Sequence, residues 1–172
     1  MDVAGEPIVG RRAWRGAELQ HRSDWIVNLA PELVGSLYQL ADKLPVDSDE
    51  WPGLNLDEYC PESLTGLITA VSAELSSGRG FALIRGIDPA DTERLRRVFW
   101  AFGVGVGQPV MQNAKGEVLS IVADRFAGAE RGRDTRGYES NDELRFHCDG
   151  GDCIAMCCIR QAPEGGLNGL VS

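Results

Sequence analysis

Histidine is scarce in this chain: His21 and His147 are the only two in 172 residues. A metal centre that needs two imidazoles must use both of them or draw one from elsewhere. Basic residues are short too, 17 Lys and Arg against 26 Asp and Glu, for a formal net charge of -9. That balance excludes wholesale nucleic-acid binding, which needs a basic face to neutralise phosphates. No apolar run approaches the roughly 18–20 residues of a membrane helix. The opening MDVAGEPIVG has no basic stretch followed by an apolar core, so no secretory signal is expected. Cysteine numbers five, odd and unevenly placed, with no C-x2-C pair. A chain of this size does not need disulfide staples, and the expected setting is a reducing cytoplasm.

What remains is an ordinary globular composition, 43% hydrophobic and 25% charged, enough for one core. Pro31 suits a first helical turn, and Leu33, Leu37, Leu40 and Leu44 recur at spacings of three and four until Pro45 stops the pattern. Residues 47–59, with Trp51-Pro52-Gly53, read as a surface connection. A second helix starts near Pro61, with Leu64, Leu67, Ile68, Val71 and Leu75 as its stripe and Gly78 as its C-terminal cap. The run Gly80-Phe81-Ala82-Leu83-Ile84-Arg85-Gly86 reads as a buried strand. Asp91 caps a third helix carrying Leu95, Val98, Phe99 and Phe102. Beyond it, strands are expected at 119–122, 144–149 and 154–159, with a mobile loop over 125–138 and a turn at Pro163, Gly165 and Gly166.

The chemistry concentrates in Phe146-His147-Cys148-Asp149. On a strand, His147 and Asp149 project to one face while Cys148 points away. An imidazole nitrogen and a carboxylate oxygen are two of the three ligands of the 2-His-1-carboxylate triad that holds Fe(II) with open positions. His147 with Cys148, Cys153, Cys157 and Cys158 invites a zinc reading, but the spacing offers no knuckle and these cysteines read better as small core residues. Gly103, Gly105 and Gly107 follow a helix and open none, so they read as a turn rather than a phosphate cradle. Arg131, Arg133 and Arg136 read as a solvated loop or active-site flap. Gln112 and Asn113 are loop residues for which active-site and structural roles weigh evenly.

Taken in order, several pieces resemble the taurine dioxygenase-like (TauD/TfdA) family of Fe(II)/2-oxoglutarate-dependent oxygenases. They are Ala13-Trp14-Arg15-Gly16, Asp24-Trp25, the GFALIRG run, Phe99-Trp100 with Gly103, Gly107-Gln108-Pro109 and Gln112-Asn113. After these come Phe146-His147-Cys148-Asp149 with Asp152, and Gly165-Gly166. The resemblance implies an α+β fold: a double-stranded β-helix (jelly-roll) core with flanking N-terminal helices, here cut before the later core strands. It implies one domain over 1–172, mainly helical over 1–78, with the first core strands and the His-x-Asp motif over 79–172.

It further implies that His147 and Asp149 are iron ligands and that 2-oxoglutarate is the co-substrate, decarboxylated to succinate as a substrate is oxidised. Where the family carries a Ser or Thr that bonds the co-substrate, this chain has Asn168, whose amide can donate a similar bond. Gln112 and Asn113 fall towards the active-site side. The family's second histidine and its co-substrate arginine belong to later strands that are not among these residues. The sequence reading is thus an oxygenase acting on a small polar molecule with half its site missing. Its alternative is a non-catalytic remnant, or one half of a split enzyme, working through association with a complementary half or with itself.

Overall fold

The computed structural model describes residues 7, 9–45, 51, 60–113, 116–124 and 143–172. The chain forms two compact units, Met1–Gln108 with Ala155–Ser172, and Pro109–Ile154.

Three helices make the core of the first unit. Helix α2, Pro31–Lys43, begins with proline at its first turn and buries Leu37, Leu40 and Ala41. Leu44 leaves the helical region (φ -70°, ψ 144°), as the crowding of the following Pro45 requires. Helix α3, Glu62–Ser76, buries Leu64, Leu67 and Val71. Helix α4, Thr92–Val106, buries Leu95, Val98, Trp100 and Ala101. Its N-cap is Asp91, whose carboxylate accepts the Arg94 amide at 3.0 Å. The three helices pack pairwise against one another. Arg94 fastens α4 to α2: its Nε donates to Asp42 at 3.1 Å, and its guanidinium lies 4.5 Å from the Tyr38 ring centroid.

Ahead of this core lie a short 3-10 turn, Gly10–Arg12, and a four-residue helix α1, Gly16–Leu19. Strand β1, Ile26–Asn28, pairs in parallel with β2, Leu83–Arg85, in the register Ile26↔Leu83 to Asn28↔Arg85. The pairing is parallel because α2 and α3 form the crossover between the two strands.

Several expectations are corrected. The run 80–86 is strand only at Leu83–Arg85 and is not buried, since Leu83 and Arg85 are exposed and, among the described residues, β1 is its one partner. Residues 119–122, 144–149 and 154–159 are not strands: a strand exists only through hydrogen bonds to a neighbour, and these segments have none of the ladder pairing that defines one. Among the described residues there is therefore a helical layer with a small parallel sheet, and no jelly-roll core. Trp51 does not lie on the surface; it is 3% exposed, its ring tilted against that of Trp100 at a centroid distance of 6.0 Å and its indole N–H donating to the Pro45 carbonyl. Most of the expected surface connection at 47–59 and all of the expected loop at 125–138, including Arg131, Arg133 and Arg136, lie outside the described residues. At the expected turn the backbone bends at Pro163 and Glu164, and Gly165 and Gly166 follow at φ +72° and +66°.

The glycine string is not a turn. Gly103 and Gly105 continue α4 and Gly107 caps it. The reason lies in packing: a Cβ on Gly105 would sit 2.6 Å from Ile68 Cδ1 of α3, whereas a Cβ on Gly103 would meet nothing. Gly103→Ala should therefore raise the unfolding free energy by about 0.5–1 kcal/mol. Gly105→Ala should forfeit that gain and cost roughly 1 kcal/mol or more by overpacking. Urea unfolding of the two variants checks this, and equal midpoint shifts would contradict the helix contact.

Candidate metal centre

Residues 143–149 run as irregular backbone into a bend at 150–152 that contains Gly150 and Gly151. The strand argument for His147 and Asp149 fails, yet the two side chains still approach each other, with Nε2 and Oδ1 3.9 Å apart. Both are 53% exposed. His147 Nδ1 lies 2.7 Å from the Arg145 carbonyl oxygen. A carbonyl only accepts, so Nδ1 is the donor in this contact, and Nε2 is the ring nitrogen on the side of Asp149. Metal-binding histidines are commonly oriented in this way, one ring nitrogen anchored to a backbone carbonyl and the other free to ligate.

Two donors at right angles, each about 2.1 Å from a metal, lie about 3 Å apart. Closing 3.9 Å to that distance is within reach of side-chain rotation at half-exposed positions. Imidazole nitrogen and carboxylate oxygen suit Fe(II) in kind. In number they fall short: among the described residues no group of three or more His, Cys, Asp or Glu side chains is placed to hold a metal ion. His21 follows α1 as an exposed turn residue, its Nε2 3.2 Å from the Gln20 side-chain nitrogen. Asp152 is exposed within the bend.

The other residues singled out from the sequence are placed as follows. Gln112 and Asn113 shape a turn: the Gln112 amide donates to the Glu117 carbonyl at 2.7 Å and its side chain to the Val110 carbonyl at 2.9 Å. The Asn113 side chain donates to the Glu117 carboxylate and accepts the Glu117 amide at 3.3 Å, while Gly116 closes the turn at φ +82°. Asn168 is exposed in the irregular stretch after Gly165-Gly166. The cysteines are not core residues: Cys148, Cys153, Cys157 and Cys158 are exposed and Cys60 is half-buried. The preference of cysteine for burial as a small hydrophobe is not met at Cys148, Cys153, Cys157 and Cys158, because their segments are not packed in a sheet here. Burial of its immediate surroundings still pushes the Cys157 thiol above its ordinary value. One group of interacting residues escaped the sequence reading altogether, the ion chain around Arg79, because its bonded partners are up to 63 positions apart.

Residues 40–172, most of the chain, match the family described as "Taurine catabolism dioxygenase TauD, TfdA family", and the chain belongs to it. It is also similar to FR-33289 synthase of Streptomyces rubellomurinus (strain ATCC 31215), 24% identical over 168 residues that make up 96% of this chain and 50% of that protein. The chain thus spans about half the length of this curated relative. Dioxygenases of this family generally use Fe(II) and 2-oxoglutarate. Among the described residues no helix is long and apolar enough to cross a membrane.

Proposed function

We propose that these residues supply the first half of an Fe(II)/2-oxoglutarate-dependent dioxygenase site that oxidises a small polar molecule. The observation that carries this reading is the His147–Asp149 pair, with Nδ1 anchored to Arg145 and Nε2 presented beside the carboxylate. His147 and Asp149 hold the metal in this reading, and a second imidazole and a co-substrate cation come from a segment outside these 172 residues. Asn168 donates an amide hydrogen bond to 2-oxoglutarate, and Gln112 and Asn113 border the substrate. Bound iron and 2-oxoglutarate supply the oxidising chemistry; the chain's own residues fix the ligand geometry and orient the co-substrate. In this reading residues 1–172 are part of a single domain whose jelly-roll strands come from the completed protein, working in a reducing cytoplasm.

A second reading, association without catalysis, is favoured by one feature. Phe146, Ile154, Met156, Ile159, Leu167, Leu170 and Val171 are all exposed, more apolar surface in one stretch of sequence than a solvated tail normally carries. In this reading the chain pairs with a complementary half, or with itself, through that stretch.

The experiment is to mix the 172-residue chain with a segment bearing a histidine and an arginine, taken from the second half of such an enzyme, and to follow succinate. Succinate is expected from the mixture and is expected to disappear with Asp149→Ala, which deletes the carboxylate ligand. Association without succinate favours the second reading, and succinate undiminished by Asp149→Ala contradicts the assignment of the site.

A further inference from the structure

Among the described residues one charged side chain is buried, Arg79, in the turn after α3. Its Nη1 donates to Glu74 Oε1 at 3.0 Å, its Nη2 donates to Asp24, and its backbone amide donates to the same Glu74 oxygen at 3.1 Å. Glu74 also accepts Arg11 Nη2 at 2.7 Å, and Asp24 accepts both Nε and Nη2 of Arg22 at 3.0 and 2.6 Å. The result is an alternating chain, Arg11–Glu74–Arg79–Asp24–Arg22, with Glu18 of α1 acting on Arg22 from the side. The Arg79 carbonyl accepts the Trp14 indole N–H at 2.9 Å. Phe81 then meets Trp14 and Trp25 edge-on, at centroid distances of 5.3 and 5.7 Å.

The members of this cluster divide along the chain. Arg11, Trp14, Arg22, Asp24 and Trp25 precede the stretch that matches the family, whereas Glu74, Arg79 and Phe81 lie inside it. The leading stretch has little to hold itself together. Its regular structure is a 3-10 turn and a four-residue helix, and Leu19 is the one residue of those elements that is buried. Isolated helices so short do not persist in water. A cleft of about 340 Å³, lined in part by Arg22, Asp24 and Arg79, brings solvent alongside the ion chain.

We propose that residues 10–25 are a strap latched onto the rest of their compact unit by Arg79, and that the strap opens as a unit of its own while α2, α3 and α4 stay folded. The latch works because the buried Arg79 holds Asp24 on the strap and Glu74 on α3 at once, leaving Glu74 with the exposed Arg11 as the other ion pair between strap and α3. Removing its guanidinium leaves Glu74, a mostly buried carboxylate, with Arg11 alone, and severs Asp24 from the core side. The helices bury their own apolar faces and do not depend on the strap for that. Such sub-global opening is ordinary where a segment is tied by few contacts.

Both carboxylates of the latch stay charged near neutrality. Hydrogen bonding from Arg22 holds the Asp24 carboxyl down to about 2. Burial alone would raise Glu74, but its hydrogen bonds from Arg79 and the charges of Arg11 and Arg79 outweigh that and hold it below the ordinary value. Depressed carboxylates contribute fully above their unfolded values and lose that contribution as pH falls through the folded ones, so acid opens the latch only below about pH 4.

Hydrogen exchange followed by mass spectrometry on the 172-residue chain at pH 7 tests the proposal. Arg79→Met is expected to speed exchange in peptides from 10–25 by about tenfold or more, with 92–106 unchanged. Asp24→Asn is expected to give the same pattern, weaker because Glu74 keeps Arg79. Unchanged protection of 10–25 in both variants would overturn the latch. If Arg79→Met also loses protection in 92–106, Asp24→Asn decides alone: exchange raised in 10–25 only supports the strap, and any other pattern overturns it. None of these readouts depends on iron or turnover, so they stand or fall apart from the oxygenase reading.

Discussion

Leu64→Ala is expected to lower the unfolding free energy by about 2–5 kcal/mol, the usual cost of emptying a fully enclosed leucine site. Leu64 has 0% exposure on the face of α3 that packs against α2 and α4, so the cavity left behind opens at the centre of the helical core. A domain of this kind has only about 5–15 kcal/mol in hand, so the variant should unfold at a markedly lower urea concentration. Leu167→Ala makes the matched control: the same atoms are removed at a residue that is 93% exposed, and the expected change is within about 0.5 kcal/mol. Equal midpoints for the two variants would show that α3 does not sit where the core has been placed.

The helices were legible in the sequence because their signals are local. Pro31 before a leucine stripe, Pro61 before another, and Asp91 three residues ahead of the Arg94 amide each settle a helix start within a single turn. The glycine string misled for the opposite reason. Whether Gly105 ends a helix or lets one approach depends on Ile68, a residue of α3 that no local pattern around Gly105 reveals. Trp51 misled likewise, since its burial comes from Trp100. The apolar runs at 119–122, 144–149 and 154–159 carry strand composition, but composition states a preference and pairing needs a partner. The His-x-Asp motif was legible as a pair of donors, though not through the strand periodicity first invoked for it. What brings Nε2 towards the carboxylate is the Arg145 carbonyl two residues back.

The central claim is that these residues hold two ligands of an iron site and not three. Removing either ligand should therefore have the largest functional effect of any substitution, because an incomplete shell has no surplus donor to fall back on. The imidazole is the more telling of the two. Its Nε2 is already directed by the Arg145 bond, and of the two histidines in the chain it is the one placed beside a carboxylate. Anaerobic titration of the 172-residue chain with Fe(II) should give weak binding, on the order of high micromolar to millimolar, as expected for a shell short of ligands. His147→Ala should abolish even that. Tight binding by the chain alone, or binding that survives His147→Ala unchanged, would contradict the claim.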